Sequence, residues 1–183
     1  MFHANTERLI AYWAERAQSG RAPSRSAIQP ADFRQLMPQT FILGRDGRGV
    51  YPLRLAGGFV AELHGCDLRG VNGLSLWSER DQLRMQTALE DIRRRPEPLV
   101  ATTEVLTREG PSLPMEVLFA PLTGDDGGPD RYLGLYQPLS MVARLQGRAA
   151  LELCVRSLRR PGAAFDETPR VRLAAVGGRR LIA

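Results

Sequence analysis

Near residue 39 the spacing of apolar residues changes from the three-and-four step of helices to the every-second step of strands, and this change restricts the fold more than any other feature. Before it, Leu9, Ile10, Trp13 and Ala17 share one stripe of a helix that Asn5 is placed to cap and Gly20 to end, running through about Ser19. Glu7 lies in its first turn, where a carboxylate suits the positive end of the helix dipole. The stripe has two readings, a face packed on the helix's own domain or a face offered to a partner or second copy. Arg21 to Pro30 is rich in Arg, Ser, Pro and Ala and reads as an extended connection; Pro30 opens a short helical turn to Leu36, and Pro38 ends it.

After residue 39, Thr40–Leu43, the turn pair Asp46-Gly47 and the alternating Tyr51, Leu53 and Leu55 predict a β-hairpin. Pro52 cannot donate to a ladder, which places the second strand at a sheet edge or at a bulge. Phe59 to His64 has room for one or two helical turns, and glycines 65, 70 and 73 keep the chain irregular to Leu76. Ser78 and Asp81 have capping-box spacing, and the helix they start carries Leu83, Met85, Leu89 and Ile92 before Arg93-Arg94-Arg95 and Pro96. Three strand-like runs follow: Pro98 to Arg108, the clean alternation of Leu113, Met115, Val117 and Phe119, and Tyr132 to Gln137. The order implies an α+β fold: a five-stranded antiparallel sheet, with short helices and one longer crossover helix on one face. The amphipathic N-terminal helix is the candidate cover for the other face. Residues 1–38 read as helix and connector, 39–140 as the sheet domain and 141–183 as a C-terminal extension.

Charge separates the same parts. All 25 cationic residues of the 183-residue chain are arginine, and the missing lysine excludes Schiff-base, phosphate-loop and lysine-base chemistry. Residues 1–140 hold 16 arginines against 17 acids, whereas residues 141–183 hold 9 against 3, so the net charge of +5 belongs to the extension. The basic balance therefore gives the domain itself no nucleic-acid signature. Cys66 and Cys154 stand far apart and suggest neither a disulfide framework nor a zinc site. No apolar stretch has the length of a membrane span, and no secretion signal is evident, so a cytoplasmic location is expected.

Several short words occur in a telling order: Tyr12-Trp13, Gly20-Arg21 with Pro23, Ile28-Gln29-Pro30, Leu36-Met37-Pro38, Leu55-Ala56-Gly57 and Gly65-Cys66-Asp67-Leu68-Arg69-Gly70. Their order and spacing, over roughly residues 8 to 140, resemble the stand-alone PAS domain family common in alphaproteobacteria. That family usually continues its second strand as Tyr-Arg-Leu-Ala-Gly-Thr; here the run is Tyr51-Pro52-Leu53-Arg54-Leu55-Ala56-Gly57-Gly58. The arginine-only cation content also fits a GC-rich genome. The resemblance implies a sensory or protein-interaction module without an attached kinase or effector, and it sets no ligand.

A ligand pocket in such a fold would lie between the helices and the concave sheet face, bounded by Trp77, Leu89, Met115, Val117 and Tyr136; an ordinary filled core would use the same residues. The cofactor is unknown. In PAS domains with a photoreactive flavin the resemblance puts the reactive cysteine at the position of Leu68, and Cys66 comes two residues too early. Haem would need an axial histidine from the longer helix, yet Ser78 to Arg95 has none, and His64 reads as a satisfied polar residue. Asp125 and Asp126 fall in a glycine-rich turn, and Glu104, Glu109 and Glu116 lack a histidine partner, so no enzyme is expected. The alternative enzyme class, a cone-shaped fold of ketosteroid-isomerase type, needs a buried acid reaching Tyr132 or Tyr136. In the extension, Leu145, Ala149 and Leu153 fit a helix, while Leu151, Leu153 and Val155 fit a strand. Arg170, Arg172, Arg179 and Arg180 suit a mobile solvated tail or salt-sensitive, nonspecific nucleic-acid contact. The reading is a sensory or adaptor module acting through a protein partner or homodimer, with Leu9, Ile10, Trp13 and Ala17 as the candidate contact.

Overall fold

The computed structural model of the chain describes residues 1–18, 20–47, 49–124 and 129–161. Its organising element is the strand Leu113–Thr123, here β4 in chain order, whose alternation works on both sides. Leu113, Met115, Val117 and Phe119 enter one apolar core, while Leu118, Ala120 and Leu122 enter a second on the opposite face. Because both faces of β4 are buried, it is a central strand.

The sheet around it comprises β1 (Thr40–Gly44), β2 (Leu53–Ala56), β3 (Leu99–Thr107), β4, β5 (Pro129–Pro138) and β6 (Ala150–Arg159), in the spatial order β2-β1-β5-β4-β3-β6. All the pairings are antiparallel. The α+β architecture is as expected, with one addition: the sheet has six strands, and the sixth comes from the C-terminal extension. At Ala150–Arg159 the alternating period prevails over the helical one because β3 offers an open row of backbone donors and acceptors, which β6 pairs from Val100↔Arg159 to Thr107↔Ala150. At the other end of the sheet, β2 is an edge strand that begins just after Pro52, and its pairing with β1 shifts register between Ile42 and Leu43, where Arg54 is passed over.

On the concave face lie α2 (Gly58–His64), a 3-10 turn (Gly73–Leu76) and the longer α3 (Glu79–Arg94). Met85, Leu89 and Ile92 of α3 face the core, but Leu83 is 73% exposed. Two residues before Met85, it is turned more than half-way round the helix from the buried stripe.

The other face is covered by α1 (Ala4–Arg16) and a 3-10 segment (Pro30–Gln39). The helix is shorter than expected and differently capped: His3, not Asn5, is the N-cap, its Nδ1 accepting the Asn5 N–H at 3.2 Å. Asn5 instead donates from Nδ2 to Gln137 Oε1 on β5 at 2.9 Å. Leu9 and Trp13 are buried on the sheet, and the Trp13 indole donates to the Pro121 carbonyl at 2.7 Å. Two of the sequence words meet at Gly57, where a Cβ would collide with the carbonyls of Met37 and Pro38. Only glycine lets those backbones approach so closely.

Candidate functional site

The five residues expected to bound a pocket all lie in the concave core. Trp77, Leu89 and Tyr136, with Phe41 and Phe119, line a small void there of about 10 Å³. A space of this size admits a single water at most. Met115 and Val117 belong to the same core without lining the void. Aromatic rings fill the volume: Phe41 packs edge to face on Phe119 at 5.6 Å and on Tyr136 at 5.4 Å between centroids, and Trp77 lies tilted 6.3 Å from Phe119. Gly134, on β5, makes room for this stack, since a Cβ there would enter the Phe41 ring.

Each tyrosine of the core has its own partner. The Tyr136 hydroxyl lies 3.3 Å from His64 Nε2 at the end of α2, so His64 is a satisfied polar residue. Burial pushes the Tyr136 phenol pKa up and holds the His64 imidazole down at about 4, which keeps both neutral at pH 7. Tyr132 donates to the Leu89 carbonyl at 3.0 Å. Neither tyrosine therefore meets the carboxylate that the ketosteroid-isomerase reading required.

The acid–tyrosine pair present in the core involves residues that the sequence reading did not single out. Tyr51, fully buried, donates to Glu90 Oε1 at 2.6 Å, and Glu90 also accepts from Arg45 Nε at 2.5 Å and Arg93 Nε at 2.9 Å. Burial alone would raise the Glu90 pKa, but the hydrogen bonds from Tyr51, Arg45 and Arg93 outweigh it and bring the carboxyl down to about 2. Burial and the adjacent Glu90 carboxylate both push the Tyr51 phenol pKa up. A carboxylate held ionised by three donors is a structural clamp joining the β1–β2 loop to α3, poorly suited to proton transfer at neutral pH. The i, i+3 spacing of Glu90 and Arg93 was the only local signal for it.

The remaining candidates are dispersed. Leu68 is buried in the concave core while Cys66 is exposed, and Cys154 is buried in β6. Glu116, buried on the α1 side, accepts the His3 backbone N–H with both oxygens, at 3.1 and 3.2 Å. Ser78 and Asp81 do not form a reciprocal capping box: the Ser78 hydroxyl donates to Asp81 Oδ2 at 2.7 Å and makes no bond to the helix backbone. Of the N-terminal stripe, Leu9 and Trp13 are buried in the core on this face of the sheet, and Ile10 and Ala17 are half-buried against the same core. Asp125, Asp126, Arg170, Arg172, Arg179 and Arg180 lie outside the described residues. Among the described residues no group of three or more His, Cys, Asp or Glu is placed to hold a metal ion, and no helix is long and apolar enough to cross a membrane.

The family model described as PAS domain matches residues 1–137. The chain belongs to the PAS domain family. The match takes in α1, the connector and β1 to β5 of the PAS fold, and it ends before β6. Similar solved structures include a LOV protein of Rhodobacter sphaeroides, at 13% identity over 64% of this chain and 72% of that one, with a TM-score of 0.46. The dark structure of the blue-light photoreceptor Aureochrome1 LOV is 15% identical over 67% of this chain and 89% of its own, with a TM-score of 0.47. An RNA-binding Light-Oxygen-Voltage receptor is 15% identical over 67% of this chain and 37% of its own, with a TM-score of 0.46. Comparison with curated proteins finds no match.

Proposed function

We propose that this PAS domain is a non-catalytic sensory or regulatory module that works in the cytoplasm through protein–protein contact. The observation that carries this reading is the concave core, where the void beside Trp77, Leu89 and Tyr136 is about 10 Å³. A filled core suits a module whose output is contact, whereas a sensor of a metabolite held there would need a space tens of times larger. The partner, another protein or a second copy, meets α1 through Ile10 and Ala17, the half-buried members of its stripe, because Leu9 and Trp13 are occupied by the sheet. In this reading residues 39–140 are the sensory body, residues 1–38 its cover and residues 141–183 an extension whose first strand joins the sheet. The lysine-free composition fits an alphaproteobacterial source.

The test is made on the full chain. Absorbance and native mass spectrometry are expected to find no chromophore and masses of the polypeptide or its oligomers. Sedimentation velocity is expected to show weaker association for Ile10→Glu than for the unaltered chain. A stoichiometric small molecule whose addition shifts the Met115 methyl resonance would place a ligand in the concave core and overturn the proposal.

A further inference from the structure

A second and larger cavity lies on the opposite face of the sheet. It is about 120 Å³ and separates the connector that carries Ile28, Phe33 and Met37 from the outward-facing Ile42, Leu55 and Leu133 of β1, β2 and β5. Ile28 and Met37 come from the two proline-ended words that the concave core leaves unexplained. A dry apolar cavity of ~150 Å³ is known to accept a benzene-sized ring, so this one has room for a single ring or a short branched chain. Water is poorly served there. A buried water needs two to four polar partners, and apart from Arg25 the lining offers one polar side chain, Thr40, whose proton already goes to the Met37 carbonyl at 3.0 Å and which is left only to accept.

The one charged group of the lining is Arg25, which is exposed at the mouth. None of the ion pairs among the described residues includes it. A guanidinium presents a planar fork of donors that matches a carboxylate in shape and charge. An apolar cleft with a single unpaired guanidinium at its opening selects a molecule with an apolar body and one terminal anion. We propose that this pocket binds a small apolar carboxylate, an aromatic or branched aliphatic acid, with the hydrocarbon between the connector and the sheet and the carboxylate on Arg25. Such an occupant would fasten the connector onto β1 and β2. The site is separate from the concave core and does not depend on the function proposed above.

Methyl-labelled full-length protein tests it, with benzoate and 4-methylpentanoate as probes and benzyl alcohol as the neutral control. The acids are expected to shift the Ile28, Met37, Ile42, Leu55 and Leu133 methyls saturably, leaving Met115 in place. Arg25→Gln is expected to weaken benzoate roughly tenfold, the scale of one charge-assisted contact, without changing the alcohol. Ile42→Trp should fill the cleft and abolish both, with an unchanged Met115 resonance reporting an intact fold. The proposal is overturned if the acids give no saturable shift, if Arg25→Gln leaves benzoate unaffected, or if the shifts appear at Met115. It is equally overturned if the pocket methyls shift with protein concentration alone, since the cleft then holds a second copy.

Discussion

The Asp81 carboxylate, buried at the start of α3, accepts the backbone N–H of Val155 in β6 at 2.9 Å. The link is doubled by the Ser78 N–H, which donates to the Leu153 carbonyl at 2.9 Å. A strand outside the family match is thus held on one side by β3 and on the other by the first turn of α3. Asp81→Ala would leave a buried N–H without an acceptor and is expected to cost about 1–3 kcal/mol. Hydrogen exchange should quicken first in residues 153–157 and least in β4. Uniform exchange across the sheet would mean that Asp81 does not serve β6.

Stability should fall as the pH drops from about 6.5 to about 4, the range between the ordinary imidazole pKa and that of His64 in the fold. In that range the unfolded chain binds a proton that the folded chain refuses, so protonation favours unfolding, by at most about 3 kcal/mol. Chemical denaturation across this range should show the slope in the unaltered protein. His64→Gln, which keeps a polar partner for Tyr136, should remove most of it.

Glu90 acts in a more acidic range. Its folded pKa of about 2 lies below the ordinary 4.5, so its contribution is complete above 4.5 and is lost as the pH falls toward 2. Glu90→Ala strands Tyr51, Arg45 and Arg93 and is expected to cost about 1–3 kcal/mol at neutral pH. The variant should also lose the stability slope between 4.5 and 2 while keeping the one due to His64, and unfolding curves at several pH values would separate them.

Gly134→Ala places a methyl group where the Phe41 ring lies. Overpacking of this kind costs about 1–3 kcal/mol. Adding Phe41→Leu should recover part of the loss, and the coupling between the two substitutions is read from a double-mutant cycle of denaturation midpoints. Additive losses would show that the ring and the glycine do not share the space.

Much of the fold was legible because its signals are local. The every-second alternation at Leu113–Phe119, the stripe of Leu9 and Trp13 and the proline in the second strand each point to a structural outcome within a few residues. β6 was not legible, since Leu145, Ala149 and Leu153 fit a helix while Leu151, Leu153 and Val155 fit a strand, and the decision rests with the open edge of β3. The clamp was hidden for another reason: Tyr51 and Arg45 lie 39 and 45 residues from Glu90. The same distance in sequence explains why His64 gave no hint of Tyr136, 72 residues away.

By itself the sequence determined the succession of elements as far as β5, the helix faces and the two-sided burial of the sheet, because periodicity and turn chemistry act within a few residues of their cause. The tertiary structure alone decided that aromatic rings fill the concave core to about 10 Å³, and that the larger space of about 120 Å³ lies beneath the connector. Volume is a property of how distant side chains meet, and no spacing along a single chain records it.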